Sequence, residues 1–130
     1  YYPKGSLKAW SCVRGKSLLY DYCRSRGVPF MNCGKLIVAT SQEQIDALES
    51  IKAKGASNEV NDLQILDRSE VSAMEPNVEC HAALHSPSTG VVDSHSFMRA
   101  LQGELEDDGG MVAFNAPLER GQIINDGDKH

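Results

Sequence analysis

His81 and His85 stand four residues apart, a step that on a helix would present both imidazoles to one ligand. Pro76 upstream and Pro87 downstream make the stretch extended, where the same step again shares one face, so a two-histidine site stays geometrically open. No third ligand accompanies it. Cys12, Cys23, Cys33 and Cys80 show neither a C-x-x-C pair nor Cys/His alternation at zinc spacing, so no metal is expected and the thiols are read as reduced. Lys35 follows Gly34 at the mouth of the apolar run Leu36–Ala39, where its ammonium could meet an anion at a sheet edge. A lysine reaching from a strand end into water would use the same residues. Asp93 could exchange protons, yet an Asp ahead of an amphipathic run is ordinarily a helix cap. Glu75 before Pro76 reads as a helix end, Glu104–Asp108 as a solvated helix end, and His95 and His130 as solvated. No G-x-G-x-x-G after a strand, no phosphate-binding G-x-x-x-x-G-K-[ST] and no G-x-S-x-G elbow occurs, so no cofactor-binding residue is expected within the chain. These constellations alone identify no reaction.

The elements that must position these groups follow from caps and periodicity. Ser6 predicts the start of a helix running to Arg26, with Cys12, Gly15, Leu19, Tyr22 and Cys23 on one face and Gly27 and Pro29 as the stop. Gly15 costs about 1 kcal/mol against Ala in a helix interior, which points to a close backbone approach there. Phe30–Cys33 and Lys35–Thr40 read as strands divided by Gly34, the second the more buried. Ser41–Gln44 has capping-box spacing before a helix that carries Ile45, Leu48 and Ile51 and ends near Gly55, with a loop over 58–62. Leu63–Leu66 reads as a strand, and Asp67–Glu70 as a second capping box opening a short helix that Pro76 ends. Ala82–His85 is a strand, Ser86–Gly90 a turn, and Val91–Val92 extended. Asp93 or Ser94 caps a helix running to Gly109, Met111–Phe114 follows as a strand, and Gly121–Ile124 enters an Asp126-Gly127 turn. Helices against a largely antiparallel sheet make the expected class α+β.

Composition bounds the rest. The chain has 130 residues, 41% hydrophobic, 24% charged and 6% aromatic, enough for one modest core. No window approaches the roughly 18 consecutive apolar residues of a membrane span. Thirteen Lys and Arg against eighteen Asp and Glu leave a net charge of −5, which argues against a nucleic-acid partner. The chain opens on Tyr1-Tyr2-Pro3 without Met and without a signal profile, and its last residues read as a hairpin lacking its return strand, so an internal piece of a larger protein is expected.

The words Tyr1-Tyr2-Pro3, Ser6-Leu7-Lys8-Ala9, Gly34-Lys35-Leu36-Ile37-Val38-Ala39, Glu75-Pro76 and Thr89-Gly90-Val91-Val92-Asp93, in this order and at these separations, resemble the L-2-hydroxyglutarate dehydrogenases. Those belong to the D-amino-acid-oxidase-like group of FAD-dependent oxidoreductases. The resemblance spans Tyr1 to about Met111 and thins after Gly110. It implies the substrate-side domain of a flavoenzyme over residues 1–116, with 117–130 leading back toward a flavin domain. The glycine-rich flavin fingerprint and a flavin-proximal histidine segment would lie before residue 1, and later strands after residue 130. FAD is implied for the parent and not for this piece. The implied reaction takes L-2-hydroxyglutarate, a small 2-hydroxy dicarboxylic acid, to 2-oxoglutarate, the protein positioning the α-carbon and neutralising two carboxylates. Tyr1, Tyr2 and Lys35 are the residues it implies for lining the substrate, Lys8 matches a family word, and no catalytic base is assigned. The compartment would be mitochondrial in a eukaryote and cytoplasmic or membrane-associated in a bacterium. Two alternatives stay open: a free-standing binding module without flavin, and a different flavoenzyme of the group, such as a glycerol-3-phosphate or amino-acid oxidase. Excision from a larger sheet would leave unpaired edges and favour self-association.

Overall fold

Ser6 sits in extended backbone and accepts the Ala9 N–H on its hydroxyl, opening α1, Leu7–Arg26. Gly27 closes the helix at φ 66°, a left-handed stop that a residue with a Cβ adopts only under strain. The computed structural model describes residues 1–122. Beyond Gly27 come β1, Phe30–Met31, and β2, Lys35–Ala39, parted by Gly34 at φ 73°. A 3₁₀ turn, Gln42–Gln44, leads into α2, Ile45–Ser57. Then follow β3, Gln64–Asp67; α3, Arg68–Met74; β4, Ala82–Ser86; β5, Val91–Val92; and α4, Ser94–Asp107. The class is α+β, with both sheets antiparallel.

The main sheet has the order β2-β4-β3, so Leu84 at its centre lies opposite Ile37 on one side and Ile65 on the other. Alternation along β4 then sorts two cores. Ala82 and Leu84 pack with Ala39, Leu63 and Leu48 of α2, while Ala83 packs with Leu66, Cys80 and Val71 of α3 on the opposite face. Full burial of a leucine such as Leu84 contributes about 1.5–3 kcal/mol. Gly55 lets this core close, because a Cβ there would stand 2.4 Å from Leu63 Cδ1. The second sheet is the pair β1-β5, with Phe30 opposite Val92.

α4 meets α1 through Tyr22, whose ring stands edge-on to Phe97 at 5.4 Å and whose hydroxyl donates to Glu104 at 3.0 Å. Arg26 pairs with the same carboxylate. Burial and the Glu104 charge push the Tyr22 phenol above its ordinary pKa.

Four expectations are corrected. Leu36–Ala39 is an edge strand and only half-buried; the covered strand is β4, because it has a neighbour on each side. Ser41 makes no side-chain cap; Gln44 instead folds back to accept the Thr40 N–H at 2.8 Å, giving a 3₁₀ turn before α2 begins. α2 ends at Ser57, near Gly55 as the sequence indicates. Gly15 meets no close neighbour, since a Cβ there would have nothing within 4 Å. Met111–Phe114 forms no strand: among the described residues no strand pairs with it, and Met111 and Phe114 are 83% and 77% exposed. The Asp67 capping box and the Asp93 cap form as the sequence indicates. The hairpin read at Gly121–His130 falls mainly outside the described residues.

Candidate functional site

A cleft of about 440 Å³ opens where the first half of α1, the start of β2, the end of α2 and the turn after β4 converge. Along α1, Ala9, Cys12, Val13 and Lys16 recur at helical spacing and form one wall. This is a different face from the one carrying Gly15, Leu19 and Tyr22, which looks toward α4. Lys35 and Ser86 face each other across the β2–β4 register, and Ser88 and Thr89 continue the wall from the turn.

That turn is held from several sides. Ser86 Oγ and Thr89 Oγ1 share a hydrogen bond of 2.8 Å, and Thr89 O accepts the Gly34 N–H at 2.8 Å. From α1, Tyr20 donates its hydroxyl to Ser88 O at 3.0 Å and Lys16 Nζ donates to Ser88 Oγ at 2.5 Å. Gly90 permits the approach, since a Cβ there would lie 2.4 Å from both Met31 O and Tyr20 Oη.

The N-terminal tyrosines close the cleft from the other side. Asn58, at the end of α2, donates its amide to Tyr2 O at 2.9 Å. Lys8 Nζ stands 5.1 Å from the Tyr2 ring centroid and Lys35 Nζ 4.8 Å from that of Tyr1, both within cation–π range. Tyr1, Tyr2 and Lys35, singled out in the sequence, therefore lie together in one cleft. Lys16, Asn58, Ser86, Ser88 and Thr89 were missed. The three-and-four spacing of Ala9, Cys12, Val13 and Lys16 was the available signal for Lys16; the serines and threonine carry none, because their meeting depends on the turn.

The remaining candidates stay apart from this cleft or do other work. His85 is half-buried against Gly34, His81 is exposed, and no three His, Cys, Asp or Glu side chains converge among the described residues. Asp93 is a helix cap: the Ser96 hydroxyl and the N–H groups of Ser96 and His95 hold its carboxyl below the usual range. All four cysteines are free, Cys23 and Cys80 buried, Cys12 and Cys33 exposed. Chemically, the cleft offers ammonium and hydroxyl groups on one side and the small apolar side chains of Ala9, Val13 and Val60 around them. Such a lining suits a short-chain organic anion.

The sequence over residues 1–129 matches the family described as DAO, FAD dependent oxidoreductase. The chain belongs to this family. It is 37% identical, over 141 aligned positions, to "L-2-hydroxyglutarate dehydrogenase, mitochondrial" of Arabidopsis thaliana, covering 95% of this chain and 29% of that protein. For the Homo sapiens protein of the same name the identity is 37%, with 88% of this chain and 25% of the relative covered. The chain thus spans under a third of these relatives. Among solved structures, the L-alpha-glycerophosphate oxidase of Mycoplasma pneumoniae, determined with FAD bound, superposes with a TM-score of 0.80 at 24% identity, covering 87% of this chain and 31% of that one. The L-proline dehydrogenase of P. horikoshii gives 0.72 at 16%, covering 85% and 30%. At these identities the likeness is one of fold.

The described residues do not fit FAD's pyrophosphate. A dinucleotide is cradled where a strand passes through a glycine-rich turn into a helix N-terminus. Here β3 passes directly into α3 through Asp67 and β5 into α4 through Asp93, so both helix starts already hold a carboxylate, and β2 reaches α2 through residues 40–44, which include no glycine. No step is assigned to the flavin from these residues.

Proposed function

We propose that the chain is the substrate-side part of an FAD-dependent dehydrogenase that oxidises L-2-hydroxyglutarate to 2-oxoglutarate, the flavin being held by other residues of the complete protein. In this reading the chain alone has no activity, and Tyr1, Tyr2 and Lys35 line the substrate site. The observation that carries it is the convergence of those three side chains on one cleft. The named relatives support the choice of substrate.

Within the reading, the chain's contribution is binding and placement. No described carboxylate pairs with Lys35; the ion pairs among the described residues are Arg24–Asp21 and Arg26–Glu104. Its ammonium is available to a substrate carboxylate, and the Tyr1 ring limits where it can point. The phenol hydroxyls supply donors that orient the acid's oxygens.

The test is anaerobic titration of the complete flavoprotein with L-2-hydroxyglutarate. Loss of the oxidised-flavin absorbance with this acid, and not with its D enantiomer, glycerol 3-phosphate or amino acids, is expected. The 130-residue chain supplied with FAD should show no such loss. Bleaching by glycerol 3-phosphate without bleaching by L-2-hydroxyglutarate overturns the assignment.

A further inference from the structure

A second ammonium lies in the same cleft as Lys35. Lys16 projects from the α1 wall and gives one of its three N–H groups to Ser88 Oγ at 2.5 Å, leaving two. Ser88 is itself fixed, because its carbonyl accepts the Tyr20 hydroxyl. Asp62 is not part of the cleft wall. The Ser88 hydroxyl and, more weakly, the Lys16 charge hold the Asp62 carboxyl below its usual range against the opposing effect of burial. Asp62 Oδ1 is buried without a hydrogen-bond partner. With Ser88 held by Tyr20, its bond to Lys16 restricts where the ammonium can sit.

A cleft that presents two lysines from different elements, α1 and β2, has a cation for each end of a short dianion. A monocarboxylic acid would leave one of them unused. We propose that Lys16, held by Ser88, is a specificity residue: Lys16 and Lys35 each take one carboxylate of a dicarboxylate substrate. This rests on reading the cleft as the substrate site.

The test compares Lys16→Met and Lys35→Met in the complete flavoprotein, using L-2-hydroxyglutarate and L-2-hydroxybutyrate, which lacks the distal carboxylate. Each variant should lower kcat/KM for the dicarboxylate about 10- to 100-fold, chiefly through KM, as expected for loss of a charge-assisted contact. For the monocarboxylate only one of the two variants should show that loss. Lys16→Arg should recover part of the Lys16→Met defect. Values for Lys16→Met within about twofold of the parent for both acids, with unchanged flavin content, overturn the proposal.

Calorimetric titration with glutarate and butyrate reads the same pair without turnover. Glutarate binding weakened by Lys16→Met, with butyrate unchanged or weakened alike, supports the proposal; unchanged glutarate binding overturns it. Where the parent binds glutarate through Lys16 but does not oxidise L-2-hydroxyglutarate, the substrate assignment fails and the two-lysine site stands. Where it oxidises the acid and Lys16→Met is silent, the reverse holds.

Discussion

The sheet body and the helix pair built from α1 and α4 solve the problem of burial differently. The sheet body sandwiches β4 between two neighbours and covers both faces, one with α2 and the other with α3, so Leu84, Ala83 and Val71 lie fully buried. The helix pair buries no residue of α4 and only Ala9 and Cys23 of α1. Trp10, Leu18, Met98, Leu101 and Leu105 remain exposed on these helices, and the groove at Gly15 stays open. The first region is held by apolar packing. The second is held by directed contacts around Tyr22, Arg26 and Glu104. The cleft lies where the two regions meet, so its α1 wall belongs to the more loosely packed partner.

The sharpest way to break the comparison is Leu84→Ala. Removing a fully buried leucine from the central strand should cost about 2–5 kcal/mol, read as a lower urea midpoint with little change in slope. A loss below about 1 kcal/mol would show that the sheet body is not the stabilising region.

Acid probes both regions at their helix caps. Hydrogen bonds from Ser69 and Glu70 depress the Asp67 carboxyl in the sheet body, and hydrogen bonds from Ser96 and His95 depress Asp93 in the helix pair. A carboxyl depressed in the folded state contributes stability that is present above its unfolded pKa, about 3.9, and is lost as pH falls through the lower folded value. Denaturation midpoints should therefore fall on acidification below about pH 5, and either Asp67→Asn or Asp93→Asn should flatten that fall. An unchanged slope in both variants would remove the caps as its cause.

The smallest effect belongs to the helix pair's surface. Leu101→Ser, at a position 44% exposed, should change stability by no more than about 0.5 kcal/mol while reducing the binding of an apolar dye. A loss as large as that of Leu84→Ala would erase the distinction between the regions.

Local signals in the sequence located most of the elements. Ser6, Asp67 and Asp93 cap helices because an oxygen on a short side chain reaches N–H groups two or three residues ahead, a relation contained within one turn. Gly27 ends α1 and Gly34 parts β1 from β2 for an equally local reason, their positive φ. Ser41 misled because it makes no side-chain cap, while the Gln44 side chain turns back to accept the Thr40 N–H and hydroxyl instead. Met111–Phe114 has strand residues but lacks a described partner strand, and strands exist only in pairs. Among the site residues, Lys35 stood out beside Gly34, and Tyr1 and Tyr2 stood out through family resemblance. Lys16 was hidden as one lysine on a helix.

What the sequence determined alone is therefore whatever a few consecutive residues decide: caps, stops, periodicity, and the family words that imply FAD chemistry. Tertiary structure decided which strand is central, which face of α1 meets the cleft, and that Lys16 and Lys35, far apart in the chain, line the same space. Those outcomes follow from strand order and helix docking, which depend on burying many apolar side chains at once rather than on any one local pattern.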